Sequence, residues 1–343
     1  MSEEPRERFV QIGSARPIAR PLDRPRIGLA LGAGAARGFA HAGVLDVLDR
    51  EGIPVDLIVG ISIGAFIGAI WSFDRSAEGM IERFEEFLES PESARSIFAF
   101  PTRSEEDDRG NFFRRIGGTI RQRYTYGKAM VGRSMLPHDY LSSVLEALVP
   151  DRDLSESETP FACVAVDVRE AREVLFAAGP AHKALLASAA IPGVFPPVEM
   201  GDRLLIDGAT MGGIPVEACR HLGADLVIGC DVRASIRRPF ALESGLDLSI
   251  RADGITGYEL SQTQLERTDV AIQPKVGHLF WSDFHQYREA FDEGVKAALE
   301  SVDEVRAAID GWSEQERRAK TWWGRLRGVR APDAPDRRRA NPL

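Results

Sequence analysis

The sequence predicts an α/β fold: a mostly parallel central sheet with helices on both faces. Three observations carry this reading. Short apolar runs recur along the chain, at Ile27 to Leu31, Leu57 to Val59, Phe161 to Val168 and Leu226 to Ile228. Helical patterns alternate with them, as at Phe39 to Glu51, Ala77 to Glu89 and Pro137 to Val149. That alternation is the mark of parallel strands joined by crossover helices. The third observation is Gly60-Ile61-Ser62-Ile63-Gly64, a G-x-S-x-G pentapeptide set between an apolar strand and an apolar helix, Ala65 to Trp71.

A strand, a tight turn and a helix are the context in which a G-x-S-x-G serine acts as a nucleophile. Gly60 and Gly64 allow close backbone approach where a Cβ would clash. The following helix turns its unpaired N–H groups and positive dipole end toward Ser62. Residues 57–73 form an uncharged run of 17 positions. This is at the short limit of the ~17–25 residues that cross a bilayer. Its three glycines and two serines, flanked by Asp56 and Asp74, favour strand–turn–helix over a membrane span.

The chain has 343 residues, 44% hydrophobic, which supports a full core in one large domain or two smaller ones. A net charge of −9 argues against general nucleic-acid binding. Cys163, Cys219 and Cys230 lie in apolar runs with no C-x-x-C spacing, so buried free thiols in a reducing compartment are expected. The polar, arginine-rich start shows no apolar secretory region, and a cytoplasmic location is expected. The six histidines show no metal-ligand spacing, so no metal site is expected.

Residues 1–24 read as an arm without periodicity. The first strand, Ile27 to Leu31, runs into Gly32-Ala33-Gly34-Ala35-Ala36-Arg37-Gly38 and then a helix. A small-residue loop at a helix N-terminus makes a nest for an anion. A dinucleotide pyrophosphate is one occupant, with Asp56 as the acidic partner, although Arg37 stands where the fingerprint has its third glycine. An oxyanion is the other, favoured by the neighbouring Ser62. A plain tight turn is the third reading. Residues 74–135 include an amphipathic helix and an irregular apolar stretch, read equally as a lid or as ordinary packing. Phe161 to Val168 and Glu173 to Ala177 are expected to pair as a hairpin. Ala181 to Ala190 is an alanine-rich helix stopped by Ile191-Pro192-Gly193-Val194-Phe195-Pro196-Pro197. Arg203 to Ile206 is a strand ending in Asp207-Gly208-Ala209; alone, such an Asp-Gly is more often a turn than a catalytic group. Further elements are expected at Ile214 to Leu222 (helix), Asp225 to Asp231 and Val270 to Gln273 (strands), and Asp283 to Ile309 (long helix).

Taken in order, the small-residue loop with Arg37-Gly38, the Ser62 pentapeptide, Ile191-Pro192 with Phe195-x-Pro197, and Asp207-Gly208-Ala209 resemble the patatin-like phospholipases, with the short bacterial members nearest in likeness. The likeness covers about residues 27–222. It implies a three-layer patatin-like sandwich over 25–310, flanked by the arm and by a C-terminal tail, 311–343. It implies hydrolysis of ester bonds in phospholipids or related acyl lipids without a metal cofactor, by a Ser–Asp dyad and an acyl-enzyme. In that reading Ser62 is the nucleophile and Asp207 the proton acceptor. Gly34, Ala35, Arg37 and Gly38 make the oxyanion hole, with Arg37 holding the loop, and Gly60, Gly64, Gly208 and Ala209 support the motifs. The family loop usually carries consecutive glycines, which Ala33 and Ala35 interrupt here.

Serine needs a base to take its proton, and an ordinary aspartate is a feeble one. Burial beside apolar walls would raise its pKa toward neutrality. His41, on the helix after the nest, is expected to be packed or solvent-facing, not catalytic. Residues 315–343 carry nine basic and three acidic side chains. Within 317–330, Trp322, Trp323, Leu326 and Val329 among six cations suit peripheral contact with an anionic membrane. A helix docked on the protein's own acidic surface, or a disordered end, is the alternative. Alternative functions are an esterase or thioesterase on small soluble substrates, a non-catalytic regulator that retains the fold, and a nucleotide-binding protein. The sequence leaves the oligomeric state open.

Overall fold

The computed structural model describes residues 7–14, 24–93, 134, 136–233 and 245–327. The strands are β1 (Phe9–Ile12), β2 (Ile27–Leu31), β3 (Leu57–Gly60), β4 (Phe161–Asp167), β5 (Arg172–Phe176), β6 (Val198–Met200), β7 (Arg203–Asp207), β8 (Leu226–Cys230) and β9 (Val270–Ile272). The helices are α1 (Ala40–Arg50), α2 (Ile63–Phe73), α3 (Ala77–Glu89), α4 (Asp139–Leu148), α5 (Ala181–Ser188), α6 (Val216–His221), α7 (Gly245–Leu265) and α8 (Tyr287–Arg327).

One sheet organises the molecule, in the order β1-β5-β4-β3-β2-β8-β9, with β7 also on β4 and β6 on β7. Pairings β1–β5, β4–β3, β3–β2, β2–β8 and β8–β9 are parallel, and β4–β5, β4–β7 and β6–β7 antiparallel. β2, β3, β4 and β8 are buried on both faces, hence their unbroken apolar runs. Their side chains alternate between two cores. Ile27, Leu29, Leu31, Ile58 and Phe161 join the larger core with α1 to α5 and α8. Ala30, Leu57, Val59, Ala162 and Val164 join the smaller one with α6 and Leu265 of α7. Helices on both faces give the mostly parallel three-layer arrangement that the sequence predicts.

β3 and β7 share one edge of β4. β3 ends with Gly60 opposite Cys163, and β7, running the other way, ends with Asp207 opposite Ala165. Val164 faces the gap where the two strand ends meet.

Several expectations are corrected. The arm over 1–24 contains a strand: Phe9–Ile12 extends the edge at β5, and Arg8 is paired with the buried Glu173 at 2.5 Å. β6 and α7 were not expected. β6 is three residues long behind two prolines, and α7 is exposed along 252–256, so neither shows clear periodicity. The last helix continues to Arg327, across the boundary expected at 310. The side chains of 313–327 and all of 328–343 lie outside the described residues, and the proposed lipid-facing cluster at 317–330 falls there. So do residues 94–133, the larger part of the candidate lid. α3, at its start, packs Met80, Phe84 and Phe87 into the core. No helix of the described residues is long and apolar enough to cross a membrane.

Asp56 stands at the start of β3, away from the loop after β2. Its carboxylate accepts from the Ile27 amide at 2.8 Å and from the Arg24 guanidinium at 2.6 and 2.9 Å. It ties two strand starts together and cannot serve a nucleotide at the other end of the sheet. Asp56→Ala leaves the part-buried Ile27 amide without its acceptor and is expected to lower stability by about 1–3 kcal/mol in urea unfolding.

Candidate active site

The site lies at the C-terminal ends of β2, β3 and β8, where β7 meets β3. Ser62 is the turn residue between β3 and α2, with φ 55° and ψ −122°. This sparsely populated conformation costs on the order of 1–3 kcal/mol and persists because the surroundings dictate it. Gly64 donates to the Ile61 carbonyl at 2.9 Å and Phe66 to the Ser62 carbonyl at 3.0 Å, which closes the turn into the helix. A Cβ on Gly64 would lie 2.4 Å from the Leu31 carbonyl oxygen, and one on Gly60 would lie 2.3 Å from Ala65 Cα. Both glycines are therefore required by contact with neighbouring backbone.

Asp207 ends β7. Its amide donates to the Ala190 carbonyl at 2.9 Å, and its Oδ1 accepts from the Ala209 amide at 2.8 Å. The Ser62 side chain stands beside the Asp207 carboxylate and favours its charged form. Burial raises the Asp207 pKa to about 6. Ser62, the bond from the Ala209 amide and the positive field of Arg233 oppose that rise. Gly208 passes under Val164, where a Cβ would meet the carbonyl oxygen at 2.4 Å.

The small-residue loop runs alongside. The Gly32 amide donates to the Cys230 carbonyl at 3.0 Å, the Ala33 amide to Gly213 at 3.0 Å and the Ala36 amide to Trp281 at 2.9 Å. The amides of Gly34 and Ala35 have no backbone acceptor among the described residues. Ala35 takes φ 51°, the left-handed region that its Cβ disfavours by about 1–2 kcal/mol. Arg37 is buried; its Nε donates to the Val232 carbonyl at 3.0 Å and a terminal nitrogen donates to Leu279 at 3.3 Å. Its guanidinium thus straps the loop to the end of β8. Gly38 sits where a Cβ would collide with Ile63, so it lets the loop approach α2. His41 is fully buried beneath the loop. Its Nε2 bonds the Gly32 carbonyl at 2.8 Å and its Nδ1 lies 3.1 Å from Cys230 Sγ. Burial lowers its pKa to about 4, so it is neutral at pH 7, and its two ring nitrogens face Gly32 and Cys230, not Ser62. Cys163, Cys219 and Cys230 are buried free thiols.

Ser62 and Ala35 open onto a narrow apolar cavity of about 60 Å³. Its walls are Ile63 and Phe66 of α2, Leu141, Val144 and Leu145 of α4, Leu185 of α5, then Ala189, Ile191, Phe195 and Phe284. Sequence reading missed this wall as a site feature. The signal was present in α4, where Leu141, Val144 and Leu145 recur at helical spacing, but such a stripe reads as core until its neighbours are known. Ser188 and Arg233 were also missed. The buried Ser188 hydroxyl accepts from the Ser62 amide at 3.1 Å. Arg233 anchors on the Gly257 carbonyl, and its amide donates to Asp231 Oδ1 at 3.1 Å.

Comparison with known proteins places the chain among lipid-acting relatives by name. The chain is 24% identical over 305 residues to lysophospholipase NTE1 of Candida glabrata, covering 81% of this chain and 16% of that protein. It is 27% identical over 245 residues to human patatin-like phospholipase domain-containing protein 6, covering 71% of this chain and 15% of that protein. The chain therefore spans about a sixth of the length of these relatives. Among solved structures, human GIVD cytosolic phospholipase A2 superposes with a TM-score of 0.41 at 17% identity, over 83% of this chain and 60% of that one. The family model for patatin-like phospholipases matches residues 29–220, from β2 through the Ser62 turn and the Asp207 turn into α6. The chain belongs to the patatin-like phospholipase family.

Proposed function

We propose that this protein is a serine acyl-hydrolase that cleaves a carboxylic ester of a phospholipid or related acyl lipid. The observation that carries the reading is the meeting of Ser62 and the buried Asp207 carboxylate beside an apolar cavity. Named relatives support the substrate class, since they are described as a lysophospholipase and a patatin-like phospholipase. An uncharged wall of aliphatic and aromatic side chains suits an acyl chain and offers nothing to a charged small molecule.

In this mechanism Ser62 Oγ attacks the ester carbonyl carbon as its proton passes to Asp207. The carbonyl oxygen gains the charge, and the free amides of Gly34 and Ala35 are its donors. The tetrahedral adduct then collapses. The C–O bond to the alcohol breaks, and the alcohol leaves with the proton from Asp207. Water next attacks the acyl-enzyme, giving a proton to Asp207, and release of the fatty acid returns that proton to Ser62. A carboxylate raised to about 6 remains ionised at neutral pH and is a stronger base than an exposed aspartate. The dipole of α2 and the dry surroundings reinforce the developing negative charge.

A fluorophosphonate probe is expected to label wild type at Ser62 and to leave Ser62→Ala unlabelled; an unlabelled wild type would overturn the reading. Asp207→Asn is expected to lower kcat on a lipid ester by roughly 10²–10⁴-fold while the protein stays folded by circular dichroism. Because Asp207 must be ionised to accept a proton, kcat/KM is expected to be full above pH 7 and to fall as pH drops through about 6. Leu145→Trp narrows the cavity and is expected to cut kcat/KM for long-chain p-nitrophenyl esters on the order of ten-fold, with the acetyl ester spared.

A further inference from the structure

Two members of the site come from turns 145 residues apart in the chain. Their alignment depends on the place where β3 and β7 meet along β4. Val164 lies between Cys163, the partner of Gly60, and Ala165, the partner of Asp207, and is opposite neither strand. The Val164 carbonyl therefore needs a donor from elsewhere. The Ser62 amide needs an acceptor, because its turn conformation takes it out of any strand ladder. Ser188, the last residue of α5, meets both needs. Its hydroxyl donates to the Val164 carbonyl at 2.7 Å and accepts from the Ser62 amide at 3.1 Å. It is fully buried. Two residues on, the Ala190 carbonyl accepts from the Asp207 amide at 2.9 Å. The short segment Ser188–Ala190 thus holds the backbone of the nucleophile with one hydrogen bond and the backbone of the base with another.

We propose that Ser188 is a positioning residue for the acyl-transfer step: its hydroxyl bridges the Ser62 amide to Val164 and sets the nucleophile against the base. This rests on the hydrolase reading above. Ser188 does not itself line the cavity, so its loss should act on the chemical step and leave acyl-chain binding unchanged. Removing the hydroxyl frees a turn that is already in an unfavourable conformation. A displacement of about 1 Å in a reacting group can cost ~10² in rate. The same displacement moves Ser62 away from the Asp207 carboxylate. Ser62 lowers the Asp207 pKa, while burial raises it and Arg233 and the Ala209 amide lower it. Moving Ser62 away takes the carboxyl pKa higher, so the acid limb of the rate profile shifts to higher pH.

The test compares wild type, Ser188→Ala and Ser62→Ala as the full chain, with fluorophosphonate labelling, steady-state hydrolysis of a p-nitrophenyl acyl ester and thermal unfolding. The expected result for Ser188→Ala is labelling and kcat slower by ~10²-fold, KM within about two-fold of wild type, and an acid limb displaced upward. Should the alanine variant fail to fold, Ser188→Cys supplies the same comparison, since its thiol is a weak donor and acceptor of similar placement. A folded variant that labels and turns over like wild type overturns the proposal. So does a rate loss with an unmoved acid limb, which marks a general structural effect. Wild type that resists the probe overturns the hydrolase reading itself, and this inference with it.

Discussion

The site depends on two strands ending head to head on one edge of a third. Parallel β3 climbs β4 and stops at Gly60, and antiparallel β7 descends the same edge and stops at Asp207. Strand ends are where the chain must turn, and turns are where side chains leave the pleat. The Ser62 and Asp207 turns therefore open toward each other across the single unpaired step at Val164. Sheet hydrogen bonding fixes their separation, so the rigid core positions the pair, not the loops. Closeness at this junction requires Gly208, because the Val164 carbonyl leaves no room for a Cβ.

Unfavourable local features gather at the same point. Ser62 and Ala35 have positive φ, and Asp207 is a buried carboxylate raised in pKa by its surroundings. Each would relax if its neighbours allowed. The neighbours do not: β2 and β3 are buried on both faces, Arg37 straps the loop to Val232 and Leu279, and neutral His41 holds the Gly32 carbonyl from below. Local conflict held in place by a consistent core is the pattern expected where a fold is arranged for chemistry.

Much of the architecture was legible along the chain, since buried parallel strands are apolar throughout and end in glycine or small residues. Ala77–Glu89 matched its expected bounds because Ser76 caps it and its apolar residues recur at helical spacing. Phe9–Ile12 was hidden by its flanks of arginine, proline and acid, and it exists because β5 offers a free edge. α7 was hidden for the opposite reason: an exposed helix shows no apolar stripe. At the site, Ser62 was announced by its strand–turn–helix setting. Asp207 was not, because an Asp-Gly after a strand is an ordinary turn, and its significance rested on a family resemblance. Asp56 read as a candidate ribose partner by spacing alone and proved to be a tie between strand starts.

By itself, then, the sequence determined the layers of the fold, the nucleophile turn, the small-residue loop and the family. These are local matters: periodicity, chain stiffness and the space that glycine leaves are all set within a few residues. Tertiary structure alone decided how Asp207 comes beside Ser62, the direction in which burial shifts its pKa, which loop amides lack backbone acceptors among the described residues, and that Ser188 closes the gap at Val164. Those properties belong to groups distant in the chain, and they arise only when desolvation and strand register act together in three dimensions.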